Sequence, residues 1–560
     1  MTEILELGKS CLNEYQLDVF YECLRKKSGG LSLAMGSGKT LLSLVVALEQ
    51  TKESNKPILI IASKTLIESW KYEINKFFGD ELKFIIFHNS YIKKFNDFVM
   101  DDDIKVYITT PEIVTKYYKY ERIDNYFVRQ QIVNEGRFNQ HFINYYNRPN
   151  RPFSNIKIGG SLLYSIEWGC LIIDEIQNYT KISTIKCQGI ASICSEYRWG
   201  LSGTIFNEPV LERILGYYLI IDDPTFPRSL PDAQKFISSI HFKGTMNSLV
   251  CRKSNPMFIK PKVNEYIITH DLSYEEVLIY MSMRTIMLKI RNEIKKFKAM
   301  NDTINTRKFG TYLLAMITYL RQCLICCVVP LSSVAIDMID FKNRSELSKI
   351  LSDEINNLNL NTWLNNINSV LSSRMRKGLE IIDKHKNENL VVFTCFRTTI
   401  DIFKEFIPSN RKVLTIDSKM SSKVRANVIE EFKKPNKDND TGNILLVTYD
   451  IGSEGLNLQI ANTVILLDFY WNDGKTSQSI ARVLRYGQTS NEVNIYMFTS
   501  HTAIEKAIFQ KQDLKLQIIN ELEKGSSKTK VGKLTVNDII KMVEMEDNVS
   551  ALQKVLERKK

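Results

Sequence analysis

Short apolar runs that end in small or acidic residues recur in two series along the chain, and such runs are typical of buried parallel strands. The first series comprises residues 58–62, 106–110, 171–174 and 199–204, and the second comprises 390–394, 444–448, 464–468 and 493–498. Amphipathic stretches such as 66–78 and 399–406 lie between them, so strands alternate with helices. This alternation predicts two α/β lobes, each a doubly wound parallel sheet.

Helical periodicity replaces the strand pattern between about residues 207 and 376, for instance in 275–300 and 311–327. We predict a helical insertion at 207–376, between an N-terminal lobe at 1–206 and a C-terminal lobe at 377–524. Segment 117–160 is rich in Tyr, Asn, Arg and Gln and contains helix-breaking prolines. It predicts an irregular insertion, either a solvated surface or a nucleic-acid contact. A Gly-Ser-Ser joint opens the last segment, 525–560, where we expect a charged helical tail.

Composition agrees with several lobes, because 560 residues are too many for a single hydrophobic core. Hydrophobic residues make up 44% and charged residues 25%, which is typical of a folded, soluble protein. No run approaches the roughly 18 apolar residues that span a bilayer, and the acidic start Met1-Thr2-Glu3 is unlike a signal peptide. We expect an intracellular protein, nuclear or cytoplasmic. The bias towards Asn, Ile and Lys, with few Gly and Pro, favours an AT-rich genome such as that of a large DNA virus or a parasite.

Lysine and arginine (75) outnumber aspartate and glutamate (63), and the formal net charge of +12 favours approach to a polyanion. Charge alone does not separate nucleic-acid binders from other basic proteins. The ten cysteines and six histidines show no zinc-type spacing, which indicates reduced thiols. The cluster Cys323, Cys326 and Cys327 lies in an apolar run at 313–329, which predicts a buried helix in preference to a metal site.

A phosphate-binding loop is predicted at Gly36, Ser37, Gly38, Lys39 and Thr40. The glycines let backbone N–H groups close around phosphate oxygens, the lysine faces the β- and γ-phosphates, and the threonine hydroxyl can reach Mg²⁺. The residue at position 33 is leucine where the strict motif has its first glycine. The loop follows the opening strand of the first lobe, where ligand sites of such sheets lie.

Two acids close a later strand of the same lobe. Asp174 can hold Mg²⁺ and Glu175 can orient an attacking water. About twenty residues before the loop, Tyr15 and Gln16 offer a ring and an amide for the adenine edge. Together with Lys39, these residues predict hydrolysis of a nucleoside triphosphate.

Gln478, Arg482 and Arg485 have the spacing of one helix face in the second lobe. Two guanidinium groups that point the same way repel each other unless an anion lies between them. A triphosphate held by the first lobe would supply that anion, so we expect Arg482 and Arg485 to act as arginine fingers when the lobes close.

The order of these motifs resembles the superfamily 2 nucleic-acid translocases, and in particular the SWI/SNF-type remodelling ATPases. Five further stretches resemble motifs of that family: 201–204, 452–458, 478–488, 502–506 and Tyr470-Trp471-Asn472. A branch signature is formed by Arg252-Lys253, Lys260-Pro261-Lys262, Leu272-Ser273, Tyr280 and Leu320-Arg321-Gln322 followed by Cys323. No reader module such as a bromodomain or chromodomain is visible beside the motor.

The chain departs from the family at two positions. The DEAH box ends in Gln177, and Ile205 replaces the proline that usually follows Gly-Thr in the third motif. Both acids remain, so we expect hydrolysis to be retained. Gln177 is expected to hydrogen-bond across the lobe interface and, with Ser202 and Thr204, to couple hydrolysis to movement.

The resemblance implies two RecA-like lobes with a helical insertion, ATP and Mg²⁺ as cofactors, and Gly455 as a further ATP-binding residue. It also implies a double-stranded DNA partner, tracked along the phosphates without strand separation and without base readout. Candidate phosphate contacts are Ser63, Lys64, Thr109, Thr110, Cys395, Ser418 and Ser453. Two other interpretations stay open: a strand-separating helicase on DNA or RNA, and a non-catalytic DNA-binding scaffold.

Overall fold

The computed structural model describes most of the chain in separate ranges. These are 2–33, 37–88, 103–121, 162–165, 167–203, 210–222, 230–237, 239, 250–251, 261–327, 329–330, 371–417, 419–435, 441–452, 456–470, 473–485, 487–510, 512, 517 and 543. The chain divides into two compact units, Met1–Ile259 with Leu514–Lys533 and Lys260–Asp513 with Leu534–Lys560.

The first unit contains a seven-stranded sheet in which every pair is parallel. Its strands are β1 (Gly29–Ser32), β2 (Ile58–Ile61), β3 (Phe84–Phe87), β4 (Val106–Thr109), β5 (Trp168–Asp174), β6 (Ser195–Ser202) and β7 (Val250–Cys251). They lie in the order β3-β4-β2-β5-β6-β1-β7. Asp174 pairs with Leu201 and Ser32 pairs with Ser202, so β5, β6 and β1 end at the same edge of the sheet.

Helices cover both faces of this sheet. They are α1 (Thr2–Ser10), α2 (Glu14–Lys26), α3 (Lys39–Thr51), α4 (Lys64–Phe78), α5 (Pro111–Glu121), α6 (Leu162–Ser165), α7 (Ile185–Ala191), α8 (Leu211–Ile221) and α9 (Leu230–Ile237), with a 3₁₀ turn at Ile176–Asn178. Alternate residues of β2 belong to two hydrophobic cores. Leu59 and Ile61 pack in the first core, and Ile58 and Ile60 pack in the second. The continuous apolar run of β2 therefore reflects burial on both faces.

The second unit contains a six-stranded parallel sheet. Its strands are β8 (Lys262–Thr269), β9 (Leu390–Thr394), β10 (Val413–Ile416), β11 (Ile444–Thr448), β12 (Thr463–Leu466) and β13 (Glu492–Thr499), in the order β10-β11-β9-β12-β13-β8. Its helices are α10 (Tyr274–Ala299), α11 (Thr303–Cys323), α12 (Ser373–Lys384), α13 (Arg397–Phe406), α14 (Ser422–Lys433), α15 (Tyr449–Gly452) and α16 (Asp473–Val483). Residues 503–510 are also helical.

A buried ion pair fastens this last helix to the second sheet. Arg374 of α12 is fully buried, and its guanidinium lies 2.8 Å from a carboxylate oxygen of Glu505, whose side chain is 6% exposed. Arg374 also donates to the Leu467 carbonyl at 3.0 Å, while the Ser500 hydroxyl donates to Glu505 at 2.7 Å. Every charge of the pair is thus matched, which burial requires.

The two doubly wound parallel sheets confirm the predicted fold class. The range expected to be helical, 207–376, nevertheless supplies a strand to each sheet, β7 and β8. Both are edge strands, and most of β8 is exposed or half-buried, so its sequence lacks the continuous apolar run that marks a buried strand. The domain boundaries themselves stay predictions.

Two predicted segments lie largely outside the described residues. The irregular insertion at 117–160 begins within the described helix α5 and then leaves the described part of the chain, and of the tail at 525–560 only Val543 is described. Among the described residues, no helix is long and apolar enough to cross a membrane.

Candidate functional site

The predicted phosphate loop joins β1 to the N-terminus of α3. Gly38 has a φ of +74°, a left-handed conformation that favours glycine, and α3 begins at the next residue. The Lys39 ammonium donates to the Leu33 carbonyl at 2.9 Å, which holds it beside the loop. A helix N-terminus with an adjacent ammonium is suited to bind phosphate. Gly36 lies outside the described residues.

Gln16 is tied to this loop by its amide. Its Oε1 accepts from the Asn13 backbone at 3.0 Å in the capping box of α2, and its Nε2 donates to the Ser37 carbonyl at 3.0 Å. A Cβ on Gly38 would lie 2.3 Å from that Nε2, so only glycine permits the contact. Tyr15 and Gln16 are buried, and the adenine contact expected of them stays a prediction.

Asp174 ends β5 and is held by two donors. Its Oδ2 accepts from the indole N–H of Trp70 at 2.9 Å, and its Oδ1 accepts from the Glu175 backbone at 3.0 Å. Burial, followed by the adjacent Glu175 charge, raises the pKa of Asp174 to about 6, although the Trp70 hydrogen bond and the Lys39 charge act to lower it. The Lys39 ammonium is therefore close enough to Asp174 to influence its ionisation.

Trp70 is a site residue that the sequence analysis missed. It lies in the amphipathic stretch that became α4, at a position where a large apolar residue signals only the core. Nothing in its spacing indicates that its indole N–H reaches an acid 104 residues further along.

Glu175 adopts a left-handed backbone conformation, with φ of 50° and ψ of 49°. This costs a residue other than glycine about 1–2 kcal/mol. Its carboxylate accepts a hydrogen bond from Nε2 of Gln177, which is fully buried. The expectation that Gln177 hydrogen-bonds across the lobe interface stays a prediction; in the described part of the chain its amide donates to Glu175 of the same unit.

Ser202 is buried at the carboxyl end of β6, opposite Ser32 and at the edge of the sheet that carries Asp174. Its expected partner in coupling, Thr204, lies outside the described residues. The same is true of several residues of the family signature, namely Arg252, Lys253, Lys260, Trp471 and Asn472, and of Gly455.

Gln478 and Arg482 lie one turn apart on α16 and are partly exposed. Arg485 was expected on the same helix but lies beyond it, because α16 ends at Val483. The end is fixed by Gln488, whose amide donates to the carbonyls of Val483 at 3.1 Å and Ala461 at 2.9 Å. Gln478 and Arg482 can share a helix face, whereas the direction of Arg485 depends on the turn that follows.

The proposed phosphate contacts of the first unit differ in exposure. Lys64 is exposed and Ser63 half-buried at the start of α4. Thr109 and Thr110 are fully buried; the Thr109 hydroxyl donates to the Phe87 carbonyl at 2.9 Å, and the Thr110 hydroxyl accepts from the Ile113 backbone at 3.4 Å. The expectation that these two hydroxyls face DNA is corrected, because they serve the sheet and the start of α5.

In the second unit, Cys395 follows β9 and is half-buried, while Ser418 and Ser453 lie outside the described residues. The Cys395 backbone donates to both carboxylate oxygens of Asp468, at 2.9 and 3.0 Å. Its Sγ lies 3.1 Å from Nη2 of Arg321, a residue of the family signature. Burial raises the pKa of the Cys395 thiol, so this group is neutral at pH 7.

Cys323, Cys326 and Cys327 are free and buried, and the predicted helix ends at the first of them. Burial raises the pKa of the Cys323 and Cys327 thiols. Within the described ranges, no group of three or more His, Cys, Asp or Glu residues has an arrangement suited to a metal ion.

Two protein-family models match the chain, and the stretch between them falls within the predicted insertion. The SNF2-related domain matches residues 13–214, and the helicase conserved C-terminal domain matches residues 373–487. The chain belongs to the SNF2-type helicase-family ATPases of superfamily 2. The resemblance drawn from the motifs is thereby confirmed. The expectation that the chain is an enzyme is also confirmed, because members of this family are DNA-dependent ATPases, which are hydrolases acting on ATP.

Relatives of this SNF2-type chain differ greatly in length. The 172L protein of Invertebrate iridescent virus 6, named as a helicase, is 26% identical over 92% of this chain and 89% of its own. Chromodomain-helicase-DNA-binding protein 6 of Mus musculus is 23% identical over 95% of this chain but only 18% of its own. The SWI2/SNF2 ATPase core of Sulfolobus solfataricus, solved with double-stranded DNA, is 20% identical, with a TM-score of 0.36 and coverage of 95% and 97%.

Proposed function

We propose that the chain is a translocase on double-stranded DNA, which hydrolyses ATP with Mg²⁺ to move along DNA or to remodel DNA–protein complexes. The observation that carries the proposal is the convergence of Lys39 with Asp174 and Glu175 at one edge of the first sheet, where the Lys39 charge acts on the pKa of Asp174. SNF2-type membership and the net charge of +12 support DNA as the partner.

The proposed ATP site uses Tyr15, Gln16, Gly36, Ser37, Gly38, Lys39, Thr40, Gly455 and Gln478. Thr40 and Asp174 would hold Mg²⁺, which prefers such oxygen ligands. Each carboxylate oxygen of Asp174 accepts one hydrogen bond and keeps a further lone pair, so the group fits this role. The bound ion would neutralise charge on the β- and γ-phosphates.

Glu175 is the proposed residue that orients the attacking water, and the hydrogen bond from Gln177 fixes its carboxylate. Arg482 and Arg485 are proposed to stabilise the charge that develops on the phosphates. Gln177, Ser202 and Thr204 are proposed to couple hydrolysis to movement.

Proposed DNA contacts are Ser63, Lys64, Cys395, Ser418 and Ser453, without Thr109 and Thr110. Contacts of this kind reach phosphates and read no base. We therefore expect binding that tolerates any sequence and weakens steeply with salt.

The proposal is tested by phosphate release with duplex DNA, single-stranded DNA and RNA. Lys39→Ala and Glu175→Gln are expected to abolish DNA-dependent release without loss of folding. Lys83→Ala removes a lysine of the same unit whose side chain is 60% exposed and should leave release unchanged. Retained turnover in either site variant would overturn the assignment.

The strand-separating helicase is distinguished by substrate. A translocase on duplex DNA displaces the third strand of a triplex without unwinding a fork, whereas a helicase opens the fork. Absence of any nucleic-acid stimulation in the unaltered chain would instead favour the scaffold interpretation.

A further inference from the structure

Helices α10 and α11 form a long antiparallel hairpin that turns at Met300 to Asp302. With 26 and 21 residues, the two helices are about 39 and about 32 Å long at 1.5 Å per residue. The hairpin is therefore about as long as one turn of duplex DNA, which is roughly 34–36 Å.

The base of the hairpin is anchored at the carboxyl edge of the second sheet. Arg321, near the end of α11, donates to the Phe469 carbonyl at 2.6 Å and to Sγ of Cys395 at 3.1 Å, and both residues lie just beyond strand ends. At the start of α10, Glu276 accepts from the Ser373 hydroxyl at 2.6 Å. Hydrogen bonds thus fix both helices to the body of the unit.

The tip is built as a rigid element. The Phe297 and Phe309 rings pack 5.0 Å apart, and Phe309 packs 5.4 Å from Tyr312. Asp302 caps α11 by accepting from the Asn305 backbone at 3.0 Å and from its amide at 2.7 Å. Charged side chains on this tip therefore stand on ordered helix ends.

Positive charge is concentrated there. Residues 289–308 contain seven lysines and arginines but only two acids. Glu293 is used in an ion pair with Lys296 at 2.7 Å, and Asp302 is used in the cap. Lys295, Lys298 and Arg307 are exposed, and no ion pair with another described residue involves them.

We infer that this tip is a contact for the sugar–phosphate backbone of duplex DNA, separate from the motif residues at the sheet edges. The inference rests on the proposed function. A convex helical tip fits the concave grooves of a duplex better than it fits an extended acidic peptide, which needs a groove in the protein. The tip also exposes Met300 and Ile304, 73% and 79% accessible, and proteins that bind the minor groove place such apolar side chains against the base steps beside their phosphate contacts.

The test uses the full chain with Lys295, Lys298 and Arg307 all changed to Gln. Glutamine keeps helix propensity close to that of lysine and arginine, so the hairpin should stay folded. The matched control changes Lys384, Lys386 and Lys404 to Gln, which removes equal charge from exposed positions at the end of α12, just after it and on α13. Circular dichroism and DNA-independent ATP hydrolysis should be the same in all three proteins.

Affinity for a fluorescent duplex is measured over a range of salt concentrations. Log affinity falls with log salt, and each lost phosphate contact makes this slope less steep by about 0.9. The slope of the tip variant should therefore be less steep by about 2–3. The control should keep the slope of the unaltered chain. Equal slopes in the tip variant and the control would overturn the inference. Absence of duplex binding by the unaltered chain would overturn the proposed function as well, which distinguishes the two failures.

Discussion

Neutral donors hold the two acids of the candidate ATP site. The Trp70 indole donates to Asp174, and the Gln177 amide donates to Glu175. Such donors fix the direction of a carboxylate without neutralising it, unlike a bound lysine or arginine. The acids therefore keep negative charge available for a cation and for a water.

The raised pKa of Asp174 makes stability depend on pH. Between 3.8 and about 6, folded Asp174 keeps a proton that the unfolded chain has released, so the free energy of unfolding falls as the pH rises through this window. The loss is at most about 3 kcal/mol. Asp174→Asn cannot titrate and should lack it.

Urea unfolding of the nucleotide-free protein from pH 4 to 8 checks this prediction. The stability of the unaltered chain relative to Asp174→Asn should decrease up to about pH 6 and then stay constant. A constant difference at every pH would show that the carboxyl group is not perturbed.

At the scale of elements, α8 packs closely against the segment that follows Gln177. This contact helps to position the sheet edge that carries Asp174 and Glu175. A Cβ on Gly216 would lie 1.7 Å from the Thr180 carbonyl oxygen, and Arg213 of the same helix donates to the Gln177 carbonyl at 3.3 Å. We expect Gly216→Ala to push α8 away, to cost about 3 kcal/mol and to reduce phosphate release.

Gly310→Ala is the matched control, because this glycine of α11 has no atom within 4 Å of an added Cβ. The change should stabilise the helix by up to about 1 kcal/mol, the difference in helix propensity. Unfolding midpoints measure both variants. Equal effects of the two substitutions would contradict the packing argument for α8.

Burial explains which strands the sequence revealed. The eight strands predicted from apolar runs all lie in the interior of their sheets. Strands β2, β4, β9, β11 and β12 are buried along their whole length. Of the five described strands that these apolar runs did not mark, β3, β7, β8 and β10 are edge strands, whereas β1 is interior. Strand β1 contains two glycines and one large apolar residue, Leu31, so it shows no apolar run. Edge strands are covered less completely: the first two residues of β3, the first three of β10 and every residue of β8 are half-buried or exposed.

The candidate site was predictable to a different extent. The motif residues Lys39, Asp174 and Glu175 follow from spacing, because each belongs to a short local pattern. The partners that hold these groups come from distant positions or from ordinary core residues, as Trp70 does, and tertiary packing alone decides them. Arg485 was misjudged because the end of α16 depends on Gln488, which caps it from beyond a turn.

At the scale of the whole molecule, the arginine-finger proposal makes hydrolysis depend on both units. In the hydrolysis-deficient Glu175→Gln background, ATP should make the molecule more compact in small-angle X-ray scattering. Adding Arg482→Ala should abolish that compaction, because the arginine then no longer contributes to binding the phosphates. Arg376→Ala, an exposed arginine of α12, serves as the control. Compaction that persists without Arg482 would contradict its role.

The long-range closure of the second sheet has a consequence for synthesis on the ribosome. Strand β8 pairs with β13, and the paired residues Lys262 and Glu492 are 230 positions apart in the sequence. Arg374 can pair with Glu505 only after a further 131 residues have been translated. At roughly 5–20 residues per second, β8 waits on the order of ten seconds or more for its neighbour. During that interval the nascent chain carries an unpaired strand and an arginine whose buried carboxylate partner has not yet been made. We therefore expect chaperones to bind the nascent second unit during this interval.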